Sequence, residues 1–130
     1  RTMERSELAR LVQIDYTREM AFIATLPAPE GGEQTLGVAR ALADPDNLGA
    51  EFGIILRPEL KGSGLGRLLM DKLIRYQRGA GTQRLIASAL VENWRMRELA
   101  RALGFAEAPT PGEPDTLRLT LELQAPSAAA

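Results

Sequence analysis

The sequence has 130 residues and contains neither cysteine nor histidine. Without cysteine there are no disulfides, no thiolate metal sites and no cysteine nucleophile. Without histidine, the commonest metal ligand and the commonest general base are both missing. Acid–base chemistry therefore falls to carboxylates, Lys, Tyr, water or a chain terminus, and no metal site is expected. Strong charge of either sign is also absent. The net charge of −1 gives no basic surface for nucleic acid. No apolar run approaches the roughly 20 residues that span a bilayer, and no secretory signal is visible. From these absences the cytoplasm is the expected location, with no nucleic-acid and no membrane partner.

What is present is ordinary for one globular domain: 45% apolar and 25% charged residues. The chain opens on Arg1 in charged sequence. It is expected to be a single domain over 1–123, excised from a longer chain, with a flexible tail over 124–130.

Ser6 reads as an N-cap with Glu7 in the first turn, and Leu8, Leu11 and Val12 recur at helical spacing to about Gln13. Met20 to Thr25 is a compact apolar run that predicts a strand, and Thr35 to Leu42 predicts a second. The Asp44-Pro45-Asp46-Asn47 stretch is turn chemistry. A third strand, about Ala50 to Arg57, puts Phe52, Ile54 and Leu56 on one face and Glu51, Gly53 and Ile55 on the other. These three form an antiparallel meander.

Pro58 ends the third strand, a glycine-rich turn follows, and a helix runs from about Gly66 to Arg78. Leu65, Leu68, Leu69, Leu73 and Tyr76 form its expected buried stripe, with Met70 and Ile74 flanking. Arg84 to Val91 is apolar enough for a strand buried on both faces. Asn93 can cap a helix from Trp94 to Leu103, which Gly104 ends. A short strand from Phe105, an irregular Pro-rich loop over 106–115 and a last strand from Thr116 to Leu123 complete an α+β order.

The stretch richest in chemistry is Lys61-Gly62-Ser63-Gly64-Leu65-Gly66, between strand and helix. Its glycines let the backbone bend and approach a ligand. The first amides of the helix have no internal acceptor and the helix dipole adds positive character, which suits an anion such as a diphosphate. A plain strand-to-helix turn has the same composition. The P-loop is excluded because Arg67, not Lys-Ser/Thr, follows Gly66. A dinucleotide fingerprint is excluded because a meander, not a parallel βαβ unit, precedes the turn.

Here the sequence resembles the GNAT superfamily of N-acetyltransferases. Its signature, Gln/Arg-x-x-Gly-x-Gly/Ala, matches residues 61–66 with Lys61 in the first place. Ile54 to Pro58, Glu92-Asn93 and Leu99, Leu103, Gly104, Phe105 follow in family order, and the likeness covers roughly residues 20–123. The resemblance implies a GNAT fold: a mixed central sheet, antiparallel meander plus splayed parallel pair, helices on both faces, and here no counterpart of the family's first strand and helix. It implies acetyl-CoA as acetyl donor. Ile55 and Leu56 would run beside its pantetheine arm, and Gly62, Ser63, Gly64, Leu65, Gly66 and Arg67 would hold its phosphates. A backbone N–H near Leu56 would stabilise the thioester oxygen. Asn93 either bonds the arm or caps its helix, and one residue can do both.

Ile14-Asp15-Tyr16, Arg18 to Ala21, Gly37 to Arg40, Ala50-Glu51-Phe52, Leu65-Gly66 and Glu92 to Met96 further resemble the acetyltransferase domain of bacterial Pat-type protein lysine acetyltransferases. That likeness implies a fused regulatory domain and a protein substrate with an exposed lysine, notably an acyl-CoA synthetase. A free lysine has a pKa of about 10.4, so only roughly one in a few thousand is the nucleophilic amine at neutral pH. The family places a Glu where Glu51 stands, which makes Glu51 the candidate general base. A half-buried carboxylate accepts a proton more readily, and Glu51 is expected to be half-buried; a solvated strand residue is the duller reading. Many GNAT members place a Tyr acid where this chain has Ala100, so the thiolate is expected to leave unassisted or to take a proton from water. A small-molecule amine acetyltransferase and a non-catalytic acyl-CoA sensor both stay open.

Overall fold

The computed structural model describes residues 10–15 and 17–125. Among these described residues, seven strands and two α-helices follow one another as β1 (Arg10–Asp15), β2 (Glu19–Pro27), β3 (Glu33–Ala43), β4 (Gly49–Leu56), α1 (Leu65–Gly79), β5 (Arg84–Leu90), α2 (Trp94–Ala102), β6 (Ala106–Thr110) and β7 (Glu113–Glu122). The strands hydrogen-bond in the order β1-β2-β3-β4-β5-β7-β6. The β4–β5 pair is parallel and β1–β2, β2–β3, β5–β7 and β6–β7 are antiparallel, which is the mixed α+β sheet expected. Among the described residues no helix is long and apolar enough to cross a membrane.

Two compact units divide the chain, and both β4 and α1 run from one into the other. The first holds β1 to Leu42 of β3, then Phe52 to Leu73. Met20, Phe22 and Ala24 of β2 and Ala39 and Ala41 of β3 are buried in it, with Leu65, Leu69, Met70 and Leu73 of α1. A bulge shifts the β2–β3 register between Ala24, opposite Gly37, and Thr25, opposite Thr35. Leu36 is the extra residue, and its carbonyl accepts from the amide of Arg57 at 2.9 Å.

The start of the chain differs from the helical reading. Leu11 and Val12 belong to strand β1, paired from Arg10 opposite Thr25 to Asp15 opposite Met20. Ser6, Glu7, Leu8 and Tyr16 lie outside the described residues. Pairing along a whole neighbouring strand outweighs a weak local period of one and a half turns.

The second unit contains Ala43–Glu51 and the chain from Ile74 onward. Its buried apolar residues include Ala50, Leu85, Ala89, Ala100, Phe105, Leu119 and Leu123. Helix α1 closes on a Schellman pair, Thr82 N to Gln77 O at 3.1 Å and Gly81 N to Arg78 O at 3.2 Å. The same pattern ends α2, with Phe105 N to Ala100 O at 2.9 Å and Gly104 N to Arg101 O at 3.1 Å. Gln77 and Thr82 are buried yet satisfied: the Gln77 amide donates to the Thr82 hydroxyl, which donates to Asn47.

Three further expectations are corrected. The buried positions of α1 are Leu65, Gly66, Leu69, Met70, Leu73, Ile74 and Gln77, so Leu65, Leu69 and Leu73 hold as expected, whereas Leu68 and Tyr76 are only half-buried. Strand β5 is not covered on both faces: Leu85 and Ala89 are buried but Leu90 is 52% exposed. The Pro-rich stretch is a hairpin, not an irregular loop. Thr110 pairs with Glu113 across a Pro111-Gly112 turn. Pro109 sits on the edge strand β6 and Pro114 lies beyond the β5 ladder, which begins at Thr116, so neither breaks a needed bond. Gln124 is tied down, its amide donating to the carbonyls of Arg78 and Thr82 at 2.9 Å each. Residues 126–130 lie outside the described residues.

Candidate active site

The glycine turn belongs to the first unit. After β4, a single 3-10 turn spans Pro58–Leu60 and buries Leu60. Gly62 then takes φ +84° and Gly64 φ +94°, conformations that fit glycine and strain any other residue. The carbonyl of Gly64 accepts from Leu68 at 3.1 Å, the first bond of α1, so Gly64 stands at the helix cap.

The turn uses some of its amides itself. Lys61 N donates to Pro58 O and Ser63 N to Leu60 O. Leu65 N donates to the Ser63 hydroxyl oxygen at 3.3 Å, while the Leu65 side chain is buried. The amides of Gly62, Gly64, Gly66 and Arg67 donate to no acceptor among the described residues. These four carry the anion-binding capacity, at the positive end of a fifteen-residue helix. Lys61 and Arg67 are exposed beside them. Sequence alone did not separate the free amides from the engaged ones, because the separation depends on Ser63 turning back on Leu65.

At the end of β4, Ile55 is 75% exposed and Leu56 is half-buried. A Cβ on Gly37 would meet the Leu56 side chain at 2.6 Å and the Ile55 carbonyl at 3.2 Å, so Gly37 allows β3 to lie hard against this end of β4.

Glu51, Asn93 and Ala100 belong to the second unit. The β4–β5 ladder covers three pairs and ends at Glu51 opposite Ile86, which is the splayed parallel pair expected. Glu51 is exposed, not half-buried, because the face of β4 that carries it is uncovered while Ala50 and Phe52 on the other face are buried. Ile86, Ser88 and Leu90 follow along β5 on the Glu51 face. Asn93 accepts from Met96 N at 3.2 Å through its side-chain oxygen and so caps α2. Its side-chain amide donates to nothing among the described residues and is exposed, so capping leaves that donor available. Ala100 is 1% exposed and packs at the closing turn of α2. Trp94 is 58% exposed, with the Arg95 guanidinium 4.7 Å from its ring centre.

One group was missed in the sequence. The Arg97 guanidinium donates to both carboxylate oxygens of Glu107, at 3.0 and 3.1 Å, and to the carbonyl of Val91 at 2.8 Å. The hydrogen bond from Arg97 holds the Glu107 carboxyl below its usual range, partly opposed by desolvation and aided by the charges of Arg97 and Arg101. The same bond raises Arg97. No spacing rule joins residues ten apart on a helix and a strand; only the β6–β7 hairpin brings them together.

Residues 2–105 match the sequence profile of the acetyltransferase (GNAT) family. An acetyltransferase of Pseudomonas aeruginosa is 31% identical over 106 residues, which is 82% of this chain and 56% of that protein, so the chain spans about half its relative's length. The ribosomal-protein-S18-alanine N-acetyltransferase of Escherichia coli has a similar fold, with TM-score 0.67 and 23% identity over 89% of this chain and 76% of that one. A cAMP-binding acyltransferase from Mycobacterium smegmatis gives TM-score 0.68 and 23% identity over 86% of this chain and 33% of that one. With the free amides at the entry to α1 and the splayed β4–β5 pair, these matches agree: the chain belongs to the GNAT family of acetyltransferases, whose acetyl donor is acetyl-CoA.

Proposed function

We propose that this domain transfers the acetyl group of acetyl-CoA to a lysine side chain of a protein, of the Pat type, with an acyl-CoA synthetase as acceptor in the cytoplasm. The observation that carries the choice of acceptor is the exposure of Glu51. A carboxylate on an uncovered strand face is open to a lysine presented by a large partner.

In this reading the amides of Gly62, Gly64, Gly66 and Arg67 hold the diphosphate, and Ser63 and Leu65 shape the turn. Ile55 and Leu56 line the arm, and the free amide of Asn93 donates to one of its carbonyls. Glu51 takes the proton from the lysine ammonium, directly or through one water. The amine nitrogen attacks the thioester carbon, its oxygen is stabilised by backbone N–H near Leu56, and the carbon–sulfur bond breaks. The nitrogen gives its second proton to water as the amide forms, and the thiolate leaves and takes a proton from water; Ala100 supplies no acid.

The test is incubation with acetyl-CoA and purified acyl-CoA synthetases, with small amines such as spermidine in parallel, followed by mass mapping. Acetylation of specific synthetase lysines supports the proposal. Turnover confined to the small amines would overturn the protein acceptor while keeping the transferase.

A further inference from the structure

Residues paired across a ladder share one face of the sheet. In the second unit, Glu51 is paired with Ile86 on β5, and Ile86 with Thr120 on β7. Two residues further along β5, Ser88 is paired with Arg118, and Arg118 with Ala108 on β6. Glu51, Ser88, Ala108 and Arg118 therefore stand on one face, and all are exposed. Leu85, Ala89 and Leu119, on the opposite face, are buried. The arginines of β5 and α2 are engaged: Arg84 with Glu122 at 3.0 Å, Arg97 and Arg101 with Glu107, and Arg95 over the Trp94 ring. The Arg118 side chain has no partner among the described residues. Its neighbours across the ladder, Ser88 and Ala108, are small and uncharged, and its same-face neighbours along β7 are Thr116 and Thr120. Glu107 lies on the other face, paired with Leu119, and Glu122 is taken by Arg84. Small residues on both flanks leave the Arg118 guanidinium open to a group from outside. Two strand spacings and two residues separate Glu51 from Arg118, roughly 12 Å between backbones.

We infer that Arg118 pairs with a carboxylate of the acceptor, so that the preferred substrate is a protein segment with an acidic residue about two to four positions from the target lysine. The inference rests on the proposed role of Glu51 as the base that meets that lysine. This face presents an anion at Glu51 and a cation at Arg118, and a segment carrying lysine and a carboxylate presents the reverse order. Such complementarity fixes register, speeds encounter and disfavours wrong partners. Extended chain covers about 3.3 Å per residue, and the two side chains supply the remaining reach. Arginine suits the task, because its planar fork donates to both oxygens of a carboxylate. Arg118 touches no reacting atom; it selects which lysine is brought to Glu51.

The test measures kcat/KM for lysine peptides that carry Glu, Gln or Arg at one of those positions, before or after the lysine, with the parent chain, Arg118→Gln and Arg118→Glu. In the parent, Glu at one or more positions is expected to raise kcat/KM about fivefold over Gln, the size of a good exposed ion pair, and Arg to lower it. The preference shrinks as salt is raised, because both charges are exposed. In Arg118→Gln the ratio of Glu to Gln peptide falls to about one, and in Arg118→Glu the preference reverses toward Arg. A reversal is a readout that a merely structural role does not move. The peptide series on the parent chain needs no variant, so it decides the matter even if Arg118→Glu does not fold. Equal kcat/KM for the three peptides at every position overturns the inference alone and leaves Glu51 in its role. So does a Glu preference that persists in Arg118→Gln; self-association of that variant with the preference intact makes Arg118 a charge that guards an open sheet instead. Transfer to spermidine with none to any lysine peptide overturns the protein acceptor and the inference together.

Discussion

Gly37 on β3 lies against Leu56 at the end of β4 so closely that a methyl group on Gly37 would come within 2.6 Å of the Leu56 Cδ2 and 3.2 Å of the Leu69 Cδ1. The bulge at Leu36 delivers Gly37 to this point, and the Leu36 carbonyl bonds Arg57 just beyond Leu56. The strand end that would line the coenzyme arm is thus placed by a missing side chain on its neighbour.

Gly37→Ala should therefore destabilise the fold by about 1–3 kcal/mol, the usual cost of overpacking a core. Thermal unfolding followed by circular dichroism checks it. The Ile55 carbonyl, 3.2 Å from that methyl, is backbone and cannot turn aside as a side chain can, so an unchanged Tm would mean that this approach is looser than described.

Glu51→Gln keeps the size and the strand and removes the proton acceptor. kcat should fall by about 10²–10⁴, the range for general-base catalysis, with acetyl-CoA affinity unchanged. Stopped-assay kinetics beside calorimetry separate the two quantities. Turnover equal to that of the parent chain would remove Glu51 from the chemistry.

The Arg97–Glu107 pair sets a pH dependence of stability. The Glu107 carboxyl is held below its ordinary value of 4.5 in the folded chain, so folding favours its charged form. That contribution is present in full above the unfolded value and fades as pH drops through the folded one. Glu107→Gln should then have a lower Tm than the parent at pH 7; the gap should begin to narrow below about pH 4.5 and close once pH falls below the folded value, where the parent too loses the charge. A gap that stays constant down to acid pH would mean the charge contributes nothing.

Where local chemistry decides structure, the sequence was readable. Pro58 and the three glycines mark the entry to α1, Asn93 caps α2 as its position suggests, and the alternation of Phe52 and Ile54 against Glu51 and Ile55 holds in β4. Where partners are distant in the chain, it was not. The spacing of Leu8, Leu11 and Val12 gives a helical signal where β1 stands, and the three residues between β1 and β2 include neither Gly nor Pro, so nothing announces the hairpin. The β6–β7 hairpin was hidden by the reverse problem: two of its prolines sit at an edge and a ladder end, where they are harmless. Glu51 was placed on the right face, but whether anything covers that face is a property of the other strands and helices. Arg97 carries no signal in the sequence, because its partner Glu107 lies on another element.

The central claim is that free amides at the entry to α1 hold the diphosphate of acetyl-CoA, and calorimetry tests it most directly. The parent chain is titrated with acetyl-CoA and with S-acetylpantetheine, which lacks the diphosphate, and so is Gly64→Ala. A methyl at Gly64 meets no atom within 4 Å, so the change acts through the backbone, which cannot keep φ +94° without strain. The account predicts tight binding of acetyl-CoA only to the parent, a loss of about tenfold or more in Gly64→Ala as one or two charge-assisted bonds are misaligned, and weak, equal binding of S-acetylpantetheine to both. Equal affinity of the parent for the two thioesters, or of both chains for acetyl-CoA, would contradict it.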